Sequence, residues 1–195
     1  MDRRMLQYVI GPTVMLLSVM GILYAACAGA AQGLYFRARY GGGKRDRGAA
    51  IADCRLSYLL YPRNYRVCGL AADLLFEEAR TADGAGEDAL PARQDAQHWC
   101  ERGLSLDAYN RELSLRMSAV LAAMPGCQAE AVAVWERYTN WHYWNVYNQY
   151  LLAGLYAWSG RKAEALARLD LLKGTRYFDA ARRAIDEEMP FPRVE

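Results

Sequence analysis

Two stretches of this chain repeat one another at a fixed distance. Gly126 and Ala131 return as Gly160 and Ala165, 34 residues further on in both cases. The windows Leu115 to Trp135 and Gln149 to Leu169 each read as an apolar helix with small residues at its middle. A glycine follows where the helix must stop, and then comes a second helix that opens with alanine. Glycine suits the stop because it alone enters the left-handed conformation without steric cost. The small residues suit the middle because two helices that cross closely there leave no room for larger side chains. A unit of this kind buries its apolar face only by stacking on the next unit, so the period constrains the whole architecture.

A helix–turn–helix period of 34 residues resembles the tetratricopeptide (TPR) repeat. On that family's pattern Leu152, Ala153 and Tyr156 match the first helix, Gly160 the turn, and Ala165 and Leu169 the second helix. One period earlier the matches are Ser118, Ala119, Ala122, Gly126, Ala131 and Trp135. The family's closing proline is replaced near Tyr143 and Tyr177. Ala96, Gly103 and Leu104, running into Asn110, resemble an earlier second helix with Ala108 at the proline position. Ala50 with Leu59, Pro62 and Asn64 resembles another that keeps the proline, and Leu70, Ala71 and Leu74 follow as a first helix. The resemblance implies an all-α fold: a short, three-repeat TPR-like solenoid over 48–188, with a polar insertion at 81–95 and a capping helix from about Thr175 to Glu188. A tail, 189–195, follows.

Composition agrees with an all-helical chain. Strand-type alternation is absent, and Pro and Gly fall mostly between periodic segments. A net charge of +2 over 195 residues, with arginines scattered over many faces, gives no expectation of nucleic-acid binding.

From Met5 to Phe36 there is no charged residue. After a short tail, 1–8, the apolar heart at 9–31 is long enough to cross a hydrocarbon core of roughly 30 Å as a helix. Arg3 and Arg4 precede it, and Tyr8, Tyr35 and Phe36 stand where interfacial aromatics belong. A basic, Gly-rich stretch at 32–47, with Gly41 to Gly43, reads as a flexible link. An uncleaved signal-anchor needs only this length. A cleaved signal peptide would use Ala28–Ala30, and a lipoprotein would use Cys27, although Tyr24 stands where that motif wants Leu. The Lys/Arg count after the span points to a cytoplasmic domain. The short Arg-bearing start resembles an export signal and favours the exported side, so the side stays open. Gly21, Ala25 and Gly29 form a small-residue stripe that would admit a second transmembrane helix, or serve only as ordinary membrane-helix composition.

The residues offer no catalytic constellation. The cysteines at 27, 54, 68, 100 and 127 form no Cys-x-x-Cys pair, and His98 and His142 bring no ligand set with them. No phosphate-binding glycine loop, nucleophile triad or His-Glu-x-x-His occurs. The expectation is therefore no enzyme, no metal and no cofactor. Cys54 and Cys68 flank the Pro62 turn and would approach each other across two antiparallel helices, either as a disulfide or as buried thiols.

The resemblance also assigns a partner-binding groove, because first helices line the family's concave face. Its candidates are Tyr65 and Phe76, then Leu113, Arg116, Val120 and Met124, then Tyr147, Tyr150 and Trp158. Such an apolar and aromatic groove suits a peptide helix or an extended apolar segment of a protein partner. It would equally be filled by the chain's own Met189 to Pro192, or its aromatics would simply pack between helices. The denser cluster at Trp141, Tyr143 and Trp144 lies at a turn and is read as packing, lipid contact or partner contact. The function expected is a membrane-anchored adaptor or scaffold in a membrane or envelope complex. The alternative is a non-catalytic accessory subunit of glycan or lipid assembly machinery.

Overall fold

The computed structural model describes residues 3–41 and 46–186. Among these there are nine α-helices and no strand: α1 (Arg3–Tyr40), α2 (Arg47–Leu60), α3 (Tyr65–Ala85), α4 (Leu90–Leu106), α5 (Arg111–Ala122), α6 (Gln128–Trp141), α7 (Val146–Trp158), α8 (Lys162–Leu171) and α9 (Phe178–Asp186). Consecutive helices run antiparallel and pack as hairpins, α1 on α2, α3 on α4, α5 on α6 and α7 on α8, with α9 closing against α7 and α8.

Local chemistry sets the ends of these helices. Asn64, Asn110 and Asn145 stand at the N-caps of α3, α5 and α7, each accepting a backbone N–H from the first turn. Gly160 closes α7 at φ 76°, with Gly160 N–H donating to the Ala157 carbonyl and Arg161 N–H to the Tyr156 carbonyl. That pair of bonds satisfies two otherwise orphaned carbonyls. Gly126 adopts the same left-handed region at φ 81°, four residues past the last helical residue of α5 and behind Pro125. Ala131 and Ala165 are both fully buried at the starts of α6 and α8, so the 34-residue echo marks equivalent positions in successive hairpins.

Two apolar clusters form the core. The first joins Tyr35 of α1 to α2, α3, α4 and α5, around Ile51, Val67, Leu75, Trp99, Val120 and Leu121. The second joins α5 through α9, around Trp135, Leu151, Leu152, Leu155, Tyr156, Leu172 and Ile185. Helix α5 serves both, because Met117 faces the first cluster and Leu115 the second.

Helix α1 is long and apolar enough from Ile10 to cross a membrane. It does not give way to a flexible link at residue 32. Residues 32–40 continue the helix because Ala31 and Tyr35 are buried against α2. The Ser57 hydroxyl donates to the Ala31 carbonyl at 2.7 Å, and the Arg37 guanidinium grips Asp53 through two nitrogens. Any link is confined to 41–46, and Gly42 to Arg45 lie outside the described residues, as do Met1, Asp2 and the tail 189–195. The expected insertion at 81–95 is likewise mostly helical. Residues up to Ala85 extend α3 and residues from Leu90 open α4, leaving a turn closed by Gly86 at φ 75°. The Arg93–Asp83 ion pair and the Arg47–Thr81 hydrogen bond hold this lengthened hairpin. The final helix starts at Phe178 rather than Thr175.

Candidate interaction surface

The residues assigned to a groove divide by burial. Leu113 and Val120 are essentially inaccessible and Met124 nearly so; they belong to the core and offer nothing to a partner. The physical reason lies in the row of hairpins. A first helix packs on its own partner and on the hairpins before and after it, so most of its apolar stripe is consumed between helices. Phe76 is half-buried against the first cluster, and the Arg66 guanidinium lies 6.0 Å from the half-buried Tyr65 ring.

Arg116 is occupied. Its guanidinium forms a two-point ion pair with Asp73 of α3, lying over Gly69. Burial pushes the Asp73 carboxyl above its ordinary value, against the opposing pull of Arg116. The sequence reading found Arg116 but not its counter-ion, which lies 43 residues earlier in another hairpin. Near α1, the Arg39 guanidinium donates to the Tyr35 hydroxyl at 2.6 Å. The front of the hairpins as far as α5 is therefore charged and internally paired.

The α7–α8 hairpin is different. Tyr147 and Tyr150 of α7 are half-buried and meet Tyr177, from the turn before α9, with ring centroids 5.5 and 5.4 Å away. The Arg111 guanidinium stands 5.1 Å from the Tyr147 ring, and Trp158 is half-buried against the second cluster. Tyr177 was not assigned to this surface; its place one turn before a capping helix was the available signal.

Among the described residues, Trp141, Tyr143 and Trp144 are the most exposed aromatics after α1, at 59%, 71% and 66%. Beneath them a stack runs from Trp135 through Tyr138 to His142 and Trp144. Buried Gln149 fixes their turn by donating to the Tyr143 carbonyl at 3.0 Å, while its own oxygen accepts from Arg168. Along α1, Gly21, Ala25 and Gly29 are exposed, and among the described residues nothing lies against Gly21 or Gly29.

All five cysteines are free, and Cys54, Cys68 and Cys100 are buried. Burial pushes the Cys54 and Cys100 thiols up to about 12 and the Cys68 thiol up to about 11. These thiols stay protonated in the fold, so the stability they contribute is complete below pH 9 and drains away between pH 9 and 12. Maleimide at pH 8 is expected to leave all three unmodified in the folded protein and to label them once guanidinium unfolds it. Modification of Cys100 without unfolding would contradict this packing. Among the described residues no group of three His, Cys, Asp or Glu side chains is placed to hold a metal. An open cleft of about 680 Å³ between α2, α3 and α4 is lined by mixed charge, including Arg47, Arg55, Glu78 and Asp95.

The described residues thus define a class: an all-helical chain of stacked hairpins with one helix of membrane-crossing length and apolarity. No family model, curated protein or solved structure matches the chain.

Proposed function

We propose that this protein is a membrane-anchored, TPR-like adaptor that holds a protein partner of a membrane complex near the bilayer and catalyses no reaction itself. The observation that carries this reading is the unbroken passage of α1 from its exposed apolar stretch into the first hairpin, fastened there by Ser57 and Asp53. A domain that needed only tethering would do as well on a floppy link. Equivalent placement of Gly126 with Gly160 and of Ala131 with Ala165 supports the repeat reading.

The partner surface narrows to Tyr147, Tyr150 and Trp158, with Tyr177 added and with Arg116 committed to Asp73. Tyrosine and tryptophan offer large, rigid contact area at little entropic cost, which favours an apolar peptide segment as the occupant. A photo-cross-linking residue at Tyr150 or Trp158 of the full-length protein in its native membrane should give a discrete heterologous adduct. The same residue at Arg55, which pairs with Asp95 at the junction of α2 and α4, should not. Tyr150→Ala combined with Trp158→Ala should remove the captured partner while helicity persists. Identical adducts from both surfaces, or unchanged capture by the folded double variant, would reject the reading.

A further inference from the structure

Helix α2 turns back along α1 towards the apolar span. Ser57 lies opposite Ala31, and the Tyr61 ring at the end of α2 meets the Tyr24 ring edge-on at 5.7 Å. At about 1.5 Å per residue, Tyr24 stands roughly 30 Å along the helix from Arg4, the thickness of a hydrocarbon core. With the core counted from Arg4 and not from residue 9, the end of α2 reaches the level where α1 leaves the bilayer, which is where α1 begins to be covered by the hairpins. It arrives there with Leu56 and Leu59 exposed at 49% and 79%.

The alternation of helix direction brings every later junction to the same edge: α4 to α5, α6 to α7, and α8 to α9. Contacts run along it, with Tyr109 on Trp141 at 4.7 Å and Tyr147 on Tyr177 at 5.5 Å. Among the exposed large apolar side chains of the hairpins, Leu106, Tyr109, Trp141, Tyr143, Trp144 and Leu171 lie at this edge, while Tyr40 and Leu90 lie at the opposite one. On this edge 60–66 and 171–178 carry Arg63, Arg66, Lys173 and Arg176 with no acid and the α4–α5 junction carries Asp107, while the opposite edge carries both signs, Arg47, Arg161 and Lys162 beside Asp83, Glu87 and Asp88.

We propose that this edge rests on the bilayer, with Leu59 and Trp144 entering the boundary between headgroups and acyl chains. Arg63 and Arg66 then meet anionic headgroups. Tryptophan and tyrosine favour that boundary because one end of the ring system is apolar and the other wet, and arginine gains from the negative surface potential. The inference shares with the adaptor reading the premise that α1 spans the membrane, and it sets the Tyr147 and Tyr177 end of the tyrosine surface beside the bilayer.

The test uses purified full-length protein reconstituted in phosphatidylcholine–phosphatidylglycerol vesicles whose acyl chains are brominated near the headgroup. Wild-type tryptophan emission should fall relative to unbrominated vesicles, and most of that loss should vanish in Trp141→Phe/Trp144→Phe. In that double-variant background Leu59→Trp should be quenched and Ala85→Trp, on the opposite edge, should not. Equal quenching of wild type and double variant, or of Leu59→Trp and Ala85→Trp, overturns the proposal. So does emission shifted to the blue without bromine quenching, the outcome expected if a second copy or a protein covers the edge. Protein that fails to float with the vesicles overturns both readings. Floating, quenched protein that yields no cross-link at Tyr150 overturns the adaptor reading alone.

Discussion

Trp135→Ala is expected to lower the folding free energy by about 3–5 kcal/mol, enough to melt the last hairpins at ambient temperature. Trp135 is fully buried in the second cluster and stacks on Tyr138 with ring centroids 5.1 Å apart. Its indole N–H donates to the Asn148 carbonyl at 3.3 Å, tying α6 to α7. Removing the ring opens a large cavity and leaves that buried carbonyl without the indole as a partner. Trp135→Phe retains most of the packing and gives up the hydrogen bond, so it should cost only about 1–2 kcal/mol. Guanidinium unfolding of the full-length protein in detergent, followed by circular dichroism, measures both. A loss below about 1 kcal/mol for the alanine variant would mean that α6 and α7 are not packed as described.

Gly103→Val should also be strongly damaging, at about 2–3 kcal/mol. A Cβ at position 103 would lie 2.8 and 2.9 Å from the two Leu113 methyl carbons and 3.1 Å from Cys68 Cβ. The leucine tip can turn aside, but Cys68 Cβ sits next to backbone and cannot. Any gain in helix propensity from replacing glycine is about 1 kcal/mol and is outweighed. Leu113→Ala alone should cost about 2–5 kcal/mol through the space it vacates. Combined, the two changes should cost at least about 1 kcal/mol less than their sum, because the valine fills part of the hole. Strict additivity in the same unfolding measurement would show that α3, α4 and α5 do not meet at this point.

The contrast between these positions indicates what the sequence reading could reach. Gly160 and Gly126 were legible because a left-handed residue admits almost one solution, whereas Asn64 and Asn110 were read only as the ends of repeat turns although each caps a helix by a local bond. Asn145 caps α7 in the same way and was available to the same reasoning. Leu113, Val120 and Met124 were placed in a groove because periodicity identifies an apolar stripe but not which neighbour covers it. Arg116 looked free because Asp73 lies two helices away, and only the stacking of α5 on α3 brings the pair together. The glycines after residue 40 suggested slack. The burial of Tyr35 beyond the apolar span, which makes the junction stiff, depends on α2 returning alongside.

That stiffness has a mechanical meaning. With α1 clasped by α2 at Tyr24, Ala31 and Arg37, there is no joint at the point where the helix leaves its apolar stretch. Rotating α1 about its long axis turns the whole row of hairpins like a vane on its shaft, and tilting it swings the far hairpins through the widest arc. With α1 in the bilayer as proposed, a torque applied by a neighbour there would reach Tyr150 and Trp158 as a change of bearing.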